Sequence, residues 1–451
     1  MTVSRELECD FIGKAVVPQV GAHANANTVR AAELLVAHPE LAAASIHTAA
    51  ILGDSARVRA YIAADPAAAT SRGGPYDWDP LTHLAFSNFL TRDAQAPDGV
   101  ADFVGAARAL LDAGANVQTG FYDPHHGPTP TFESALYGAA GVAHHPGLTQ
   151  LLLDRGADPN DDEVPYHVGE SYDNRAMEIL VGSGKLTADS VGMILIRKCD
   201  WHDAAGVDWL LRRGVDPNHC RRWNTTTLHH AIKRDNAIEI VETLLAHGAD
   251  PLAVAEGVTC VQLAVRVGRS DVLEAFVARQ VPIALTGSDE LLHALVFGDI
   301  PRIAAISAEH PEWVAEVLAA GGRYLALWAL TDNVAGVRAL LDLGVPATAT
   351  FADGYGYFGI PSGASALHVA AWLARHDVVE LLIARGADVN ATVHGSSHTI
   401  TPLQLAVRAT VDSYWTSRRS PRSVRALLDA GADRAGIEVP CGYDAVDALL
   451  R

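Results

Sequence analysis

Leucine and alanine positions three and four apart recur along this chain, and each set gives a short helix one apolar stripe. Seven stripes end alike, at Gly114-Ala115-Asn116, Gly156-Ala157-Asp158, Gly214-Val215-Asp216, Gly248-Ala249-Asp250, Gly344-Val345-Pro346, Gly386-Ala387-Asp388 and Gly431-Ala432-Asp433. A glycine after a leucine-rich stretch supplies the left-handed residue that stops a helix, and the Asx or Pro that follows opens a turn. From Thr28 the stripe Val29, Ala32, Leu35 and Val36 predicts an opening helix that closes at His38-Pro39.

A second pattern precedes most of these stops. It reads Ser134-Ala135-Leu136-Tyr137-Gly138-Ala139, Thr226-Thr227-Leu228-His229-His230-Ala231, Ser365-Ala366-Leu367-His368-Val369-Ala370 and Thr401-Pro402-Leu403-Gln404-Leu405-Ala406. The leading Ser or Thr predicts an N-cap, and a proline at the first helical position loses no hydrogen bond that the helix would have made. His229 to Gln262 is 33 residues (262 − 229), and Gly214 to Gly248 is 34 (248 − 214). This signature, at this period, resembles the Thr-Pro-Leu-His-x-Ala motif of ankyrin repeats.

The resemblance implies an all-α ankyrin-repeat solenoid of about eleven or twelve helix–turn–helix repeats, several degenerate, with long loop insertions and little or no β-sheet. It also implies a structural task for the signature histidines His47, His83, His229, His293 and His368, which in such repeats order the adjacent loop by hydrogen bonding to its backbone. The expected division is an irregular segment over 1–27, N-terminal repeats with long loops over 28–160, degenerate central repeats over 161–223, and C-terminal repeats with a cap over 224–451. The insertions Thr91 to Val100 and Phe121 to Pro130 break the register. Loops of that length in a compact stack are usually functional or disordered.

Charge narrows the partner. The formal net charge is −19, and the basic pairs Arg212-Arg213, Arg221-Arg222 and Arg418-Arg419 are short and scattered, so no nucleic-acid partner is expected. The five cysteines lack framework spacing, the first residues lack an apolar signal core, and no apolar run reaches the roughly 18 residues of a membrane span. Those features point to the cytoplasm, with no membrane partner.

No phosphate loop, dinucleotide fingerprint, zinc-protease helix or nucleophile elbow occurs, and no cofactor is expected. Cys199 and His202 with the adjacent His219-Cys220 form a poor zinc set, because two neighbouring side chains do not easily converge on one ion. The stronger signal lies in loops that a repeat stack projects as fingers. They hold Tyr76, Asp77, Trp78 and Asp79; Tyr122, Asp123, His125 and His126; Tyr166 and His167; Trp201 and His202; Trp223; and Tyr355 and Tyr357. Aromatic faces beside carboxylates suit a protein or peptide partner of basic or amphipathic character. The leading reading is an interaction scaffold that binds through its concave face and these fingers. The alternative is an enzyme that builds acid–base groups on the same groove from loop Asp, His and Tyr side chains, acting on a peptide or small cationic substrate.

Overall fold

The structure is a computed structural model that describes residues 3–18, 28–95, 101–124, 128–219, 224–394, 399–411 and 417–451. His125, His126 and Trp223 lie outside the described residues. The chain divides into two compact units, residues 1–227 with 246–249 (unit 1) and residues 228–245 with 250–451 (unit 2).

Helix pairs follow one another along the chain. In the first half they are Ile46–Ile51 with Ser55–Ala64, Pro80–Ala85 with Phe103–Asp112, Ala135–Tyr137 with Pro146–Asp154, Glu163–His167 with Arg175–Gly182, and Ala188–Asp200 with Ala204–Leu211. The second half continues with Thr227–Lys233 and Ile238–Ala246, Cys260–Val267 and Ser270–Ala278, Ser288–Phe297 and Ile300–Glu309, Gly321–Leu330 and Val334–Leu343, Ala366–Trp372 and His376–Ala384, and Pro402–Ala409 and Arg422–Asp429. Strand content among the described residues is four two-stranded antiparallel hairpins. They are β1 (Gly120–Asp123) with β2 (Thr131–Ser134), β3 (Val254–Ala255) with β4 (Val258–Thr259), β5 (Thr350–Phe351) with β6 (Ala364–Ser365), and β7 (Val393–His394) with β8 (Thr399–Ile400).

Local chemistry explains both ends of the helices. Ser45, Ser134, Thr259, Ser365 and Thr401 each accept a backbone N–H three residues on, and all but Ser134 close a full capping box. The seven glycine stops all hold positive φ, from 82° at Gly214 to 114° at Gly344. An L side chain is strained there whatever the space around it. Two signature histidines reach the backbone of the next loop, His47 Nε2 to the Ser71 carbonyl at 3.0 Å and His229 Nε2 to the Val258 carbonyl at 3.1 Å. His83 bonds its own cap residue through the Asp79 carbonyl at 3.0 Å, and burial holds it neutral with a pKa of about 3.

Residues 161–203 are more regular than their sequence suggests. The signature is largely missing, yet both repeats form. Thr187 caps the helix Ala188–Asp200, and Met193, Ile194, Leu195 and Ile196 are buried along it. Apolar burial here does the work that the signature does elsewhere.

Unit 2 departs from a simple stack, in which each repeat touches only its neighbours. Trp328 Nε1 donates to the Arg266 carbonyl at 3.2 Å, and Asn333 Nδ2 donates to the carbonyls of Gly268 at 2.8 Å and Val296 at 3.0 Å. Helix Gly321–Leu330 therefore packs back onto helix Cys260–Val267. Gly268 permits this approach, since a Cβ there would lie 2.4 Å from the Trp328 ring. Farther along, Tyr355 Oη donates to the Lys233 carbonyl at 2.8 Å, Arg234 lies 3.6 Å from the Tyr357 ring centre, and Arg375 pairs with Asp235.

Candidate functional site

The first finger of unit 1 is a tight loop closed by Gly73 and Trp78, which exchange backbone hydrogen bonds of 2.9 and 3.1 Å. It passes over the signature histidines so closely that a Cβ on Gly74 would sit 2.9 Å from His83 Nε2. Asp77 stands at the tip with φ 55°, exposed, and its carboxylate accepts from Arg72 Nε at 3.2 Å. Tyr76 is half-buried against Trp78, with ring centres 4.9 Å apart.

Two residues of this finger belong to the scaffold rather than to its surface. Trp78 is 1% exposed and stacks on Phe121 with centroids 4.4 Å apart at 18°, so it offers no face to a ligand. An indole of that area, with aromatic neighbours at hand, is more favourably buried than left in water. Asp79 is the N-cap of helix Pro80–Ala85, accepting from the Thr82 N–H at 2.9 Å.

The second finger is the β1–β2 hairpin, paired Gly120–Ser134, Phe121–Glu133, Tyr122–Phe132 and Asp123–Thr131. Alternation along a strand turns Phe121 and Asp123 inward and Tyr122 outward. Tyr122 is accordingly exposed, beside Phe132 at 5.1 Å. Asp123 and Glu133 are wholly buried, so Asp123 is not the surface carboxylate that its loop position suggested.

Behind the hairpin, buried acids meet a histidine. His167 bonds Glu163 through Nε2 at 3.1 Å and Glu170 through Nδ1 at 2.9 Å. Burial opposes the His167 charge, but these two carboxylates outweigh it and raise the pKa to about 9. Burial, reinforced by Glu163, lifts the Glu133 carboxyl to about 8. Tyr137 packs against His167 at 5.1 Å, and its hydroxyl is pushed far up by burial and then by Glu133. The line continues through Arg197, which pairs with both Glu170 and Asp200 and lies 4.1 Å from the Tyr166 ring centre. Trp201 follows, half-buried, its carbonyl accepting from Tyr172 Oη at 2.9 Å.

Tyr166 and His167 thus lie on a line of contacts that runs through Arg197 towards Trp201, and Tyr122 is exposed on the hairpin whose buried Glu133 faces Glu163 and His167. His202 is half-buried next to the ion pair of Lys198 with Asp203 at 3.0 Å. Tyr355 and Tyr357 belong to unit 2 and anchor its loop to Lys233 and Arg234. Glu133, Glu163, Glu170 and Arg197 were not singled out from sequence. Glu163 and His167 stand at i and i+4 of helix Glu163–His167, with Glu170 in the turn beyond it, and the i, i+4 spacing was the available signal.

Cys199 is buried in the core of its helix, and His219 Nε2 turns to Asp189 at 2.6 Å. Cys220 lies outside the described residues. Among the described residues no group of three or more His, Cys, Asp or Glu side chains is arranged to hold a metal ion. No helix among them is long and apolar enough to cross a membrane.

Family models for ankyrin repeats match residues 195–286, as three copies, and residues 362–393, as one. The chain carries ankyrin repeats. Ankyrin repeats generally serve as protein-interaction scaffolds. One solved structure that the chain resembles is the crystal structure of the human ASB11 ankyrin repeat domain, at 20% identity and a TM-score of 0.26, over 60% of this chain and 99% of that one. No curated protein shows a detectable match.

The acid cluster makes the stability of unit 1 depend on pH. Glu133 rises from 4.5 to about 8, so its contribution is full below 4.5 and is lost as pH climbs through 8. His167 rises from 6.5 to about 9, so its contribution is full below 6.5 and is lost through 9. Both terms fall between pH 6.5 and 8. Glu133→Gln should flatten this decline and raise the melting temperature at pH 8, by a stabilisation on the order of 1–3 kcal/mol. Thermal unfolding of both proteins at pH 6 and pH 8.5 checks it, and equal losses in the two would refute the assignment.

Proposed function

We propose that this ankyrin-repeat protein is an interaction scaffold whose unit 1 grips a basic or amphipathic segment of a partner protein. The segment lies along the finger tips and the short helices behind them. The observation that carries this reading is the arrangement of side chains on that edge. Tyr76, Asp77, Tyr122 and Tyr166 are exposed or half-exposed, while the residues beneath them are tightly buried. Such a base holds the aromatic rings in place before binding, so little entropy is lost on docking. Asp77 at the exposed finger tip and the chain's net charge of −19 favour a cationic guest.

The enzyme reading has less support. Its acid–base groups would have to touch a substrate, and Asp123 and Glu133 are sealed beneath the hairpin. A scaffold needs them only to seat the hairpin that carries Tyr122.

Selection of binders from a random peptide display library tests the proposal. Recovered peptides should be rich in Lys and Arg with an aromatic residue, and their binding should weaken as salt rises, because exposed charges are screened over about 8–10 Å at physiological ionic strength. Acidic binders, or binding indifferent to salt, would overturn it.

A further inference from the structure

Unit 2 contains a half-enclosed cleft of about 640 Å³ that the finger strip of unit 1 does not use. It lies where helix Gly321–Leu330 packs across onto helix Cys260–Val267, and there Glu316 of helix Pro311–Ala319 joins Arg323 and Tyr324 opposite Lys233, Arg266 and Asp289. Its volume falls within the roughly 300–1,000 Å³ of small-ligand and side-chain sites.

The charges in the cleft are matched except at one place. Lys233 pairs with Glu256. Arg266 donates twice to Asp289, at 2.9 Å each, and Arg323 reaches Asp353 at 3.2 Å. Each cation therefore already holds a carboxylate. An incoming anion would have to displace that carboxylate and then remain beside it. The Glu316 carboxylate and the Tyr324 hydroxyl make no hydrogen bond or ion pair among the described residues. Tyr324 is partly buried, its hydroxyl pKa raised by burial and next by Asp289, so it stays neutral and presents both an oxygen and a ring face. A planar cation placed here would meet a carboxylate without a partner and an aromatic face together.

We propose that this cleft binds an arginine side chain of a partner peptide, its guanidinium on Glu316 and against the Tyr324 ring. The site is separate from the unit 1 strip and does not depend on it.

The test uses the full chain and Nα-acetyl-arginine amide as the probe, followed by saturation-transfer NMR, with Nα-acetyl-citrulline amide as the uncharged counterpart. The arginine probe should saturate and the citrulline probe should bind several-fold more weakly. Glu316 is exposed, so Glu316→Gln leaves packing intact, and it should cut the signal at least fivefold. Tyr324→Leu should also cut it, and Glu309→Gln, at the end of helix Ile300–Glu309 and outside the cleft lining, should leave it unchanged. The proposal fails if Glu316→Gln binds like the parent or if citrulline binds equally well. It fails too if the signal is lost in Tyr122→Ala/Tyr166→Ala, which would trace it to unit 1.

Discussion

Asp235→Ala is expected to destabilise unit 2 by about 3–5 kcal/mol, the range for removing one partner of a buried ion pair. Asp235 occupies the turn after helix Thr227–Lys233, with φ 51° and a side chain 13% exposed. Three arginines surround it. Arg375 donates to it directly, Arg269 lies at 3.7 Å and Arg418 at 4.0 Å. Arg375 is 140 residues away and also donates to the Leu330 carbonyl at 2.8 Å, so one carboxylate ties together repeats that are far apart in sequence. Burial, then Arg375, depresses the Arg418 pKa to about 10, a measure of how crowded these cations are. Without Asp235 they would repel one another in a poorly solvated place. Urea unfolding followed by circular dichroism measures the loss. Asp235→Asn, which keeps an acceptor but no charge, should fall between. A loss below about 1 kcal/mol for the alanine variant would mean that the carboxylate is solvated and the closure held by packing alone.

Leu367→Ala should cost about 2–5 kcal/mol. Leu367 is fully buried in helix Ala366–Trp372, which packs between helices Gly321–Leu330 and Pro402–Ala409. Truncation leaves a cavity that fixed neighbours on both sides cannot close. Leu367→Met should cost much less, under about 1.5 kcal/mol, because it conserves volume. Urea melts of the alanine variant that overlay those of the parent would show the helix face to be wrongly assigned.

The repeat fold was legible because its signals are local. A capping Ser or Thr, a leucine stripe and a glycine stop each act within one helix, and all seven stops adopt the φ that their position in the pattern implied. Residues 161–203 were harder to read, because there burial of Met193 to Ile196 replaces the signature. The curl of unit 2 was not legible. It rests on contacts such as Trp328 with Arg266 and Arg375 with Asp235, whose partners are 62 and 140 residues apart.

The site was half legible for a related reason. Loop composition drew attention to Trp78 and Asp123, but Trp78 is drawn inside by its stack on Phe121, and the strand alternation that buries Asp123 depends on register. Tyr122, one position away, is the residue that strand alternation turns outward. Glu133 was overlooked because its partners Glu163 and His167 come from the next repeat.

The measurement that bears most directly on the central claim is the affinity of a display-selected basic peptide for the parent and for Asp77→Ala/Tyr122→Ala/Tyr166→Ala. All three positions are exposed or half-exposed, so helicity should be kept, and circular dichroism confirms it. Loss of two aromatic contacts and a carboxylate should weaken binding by about 2–4 kcal/mol, a thirtyfold loss or more. An affinity equal to that of the parent would place the binding surface outside the unit 1 fingers and contradict the account.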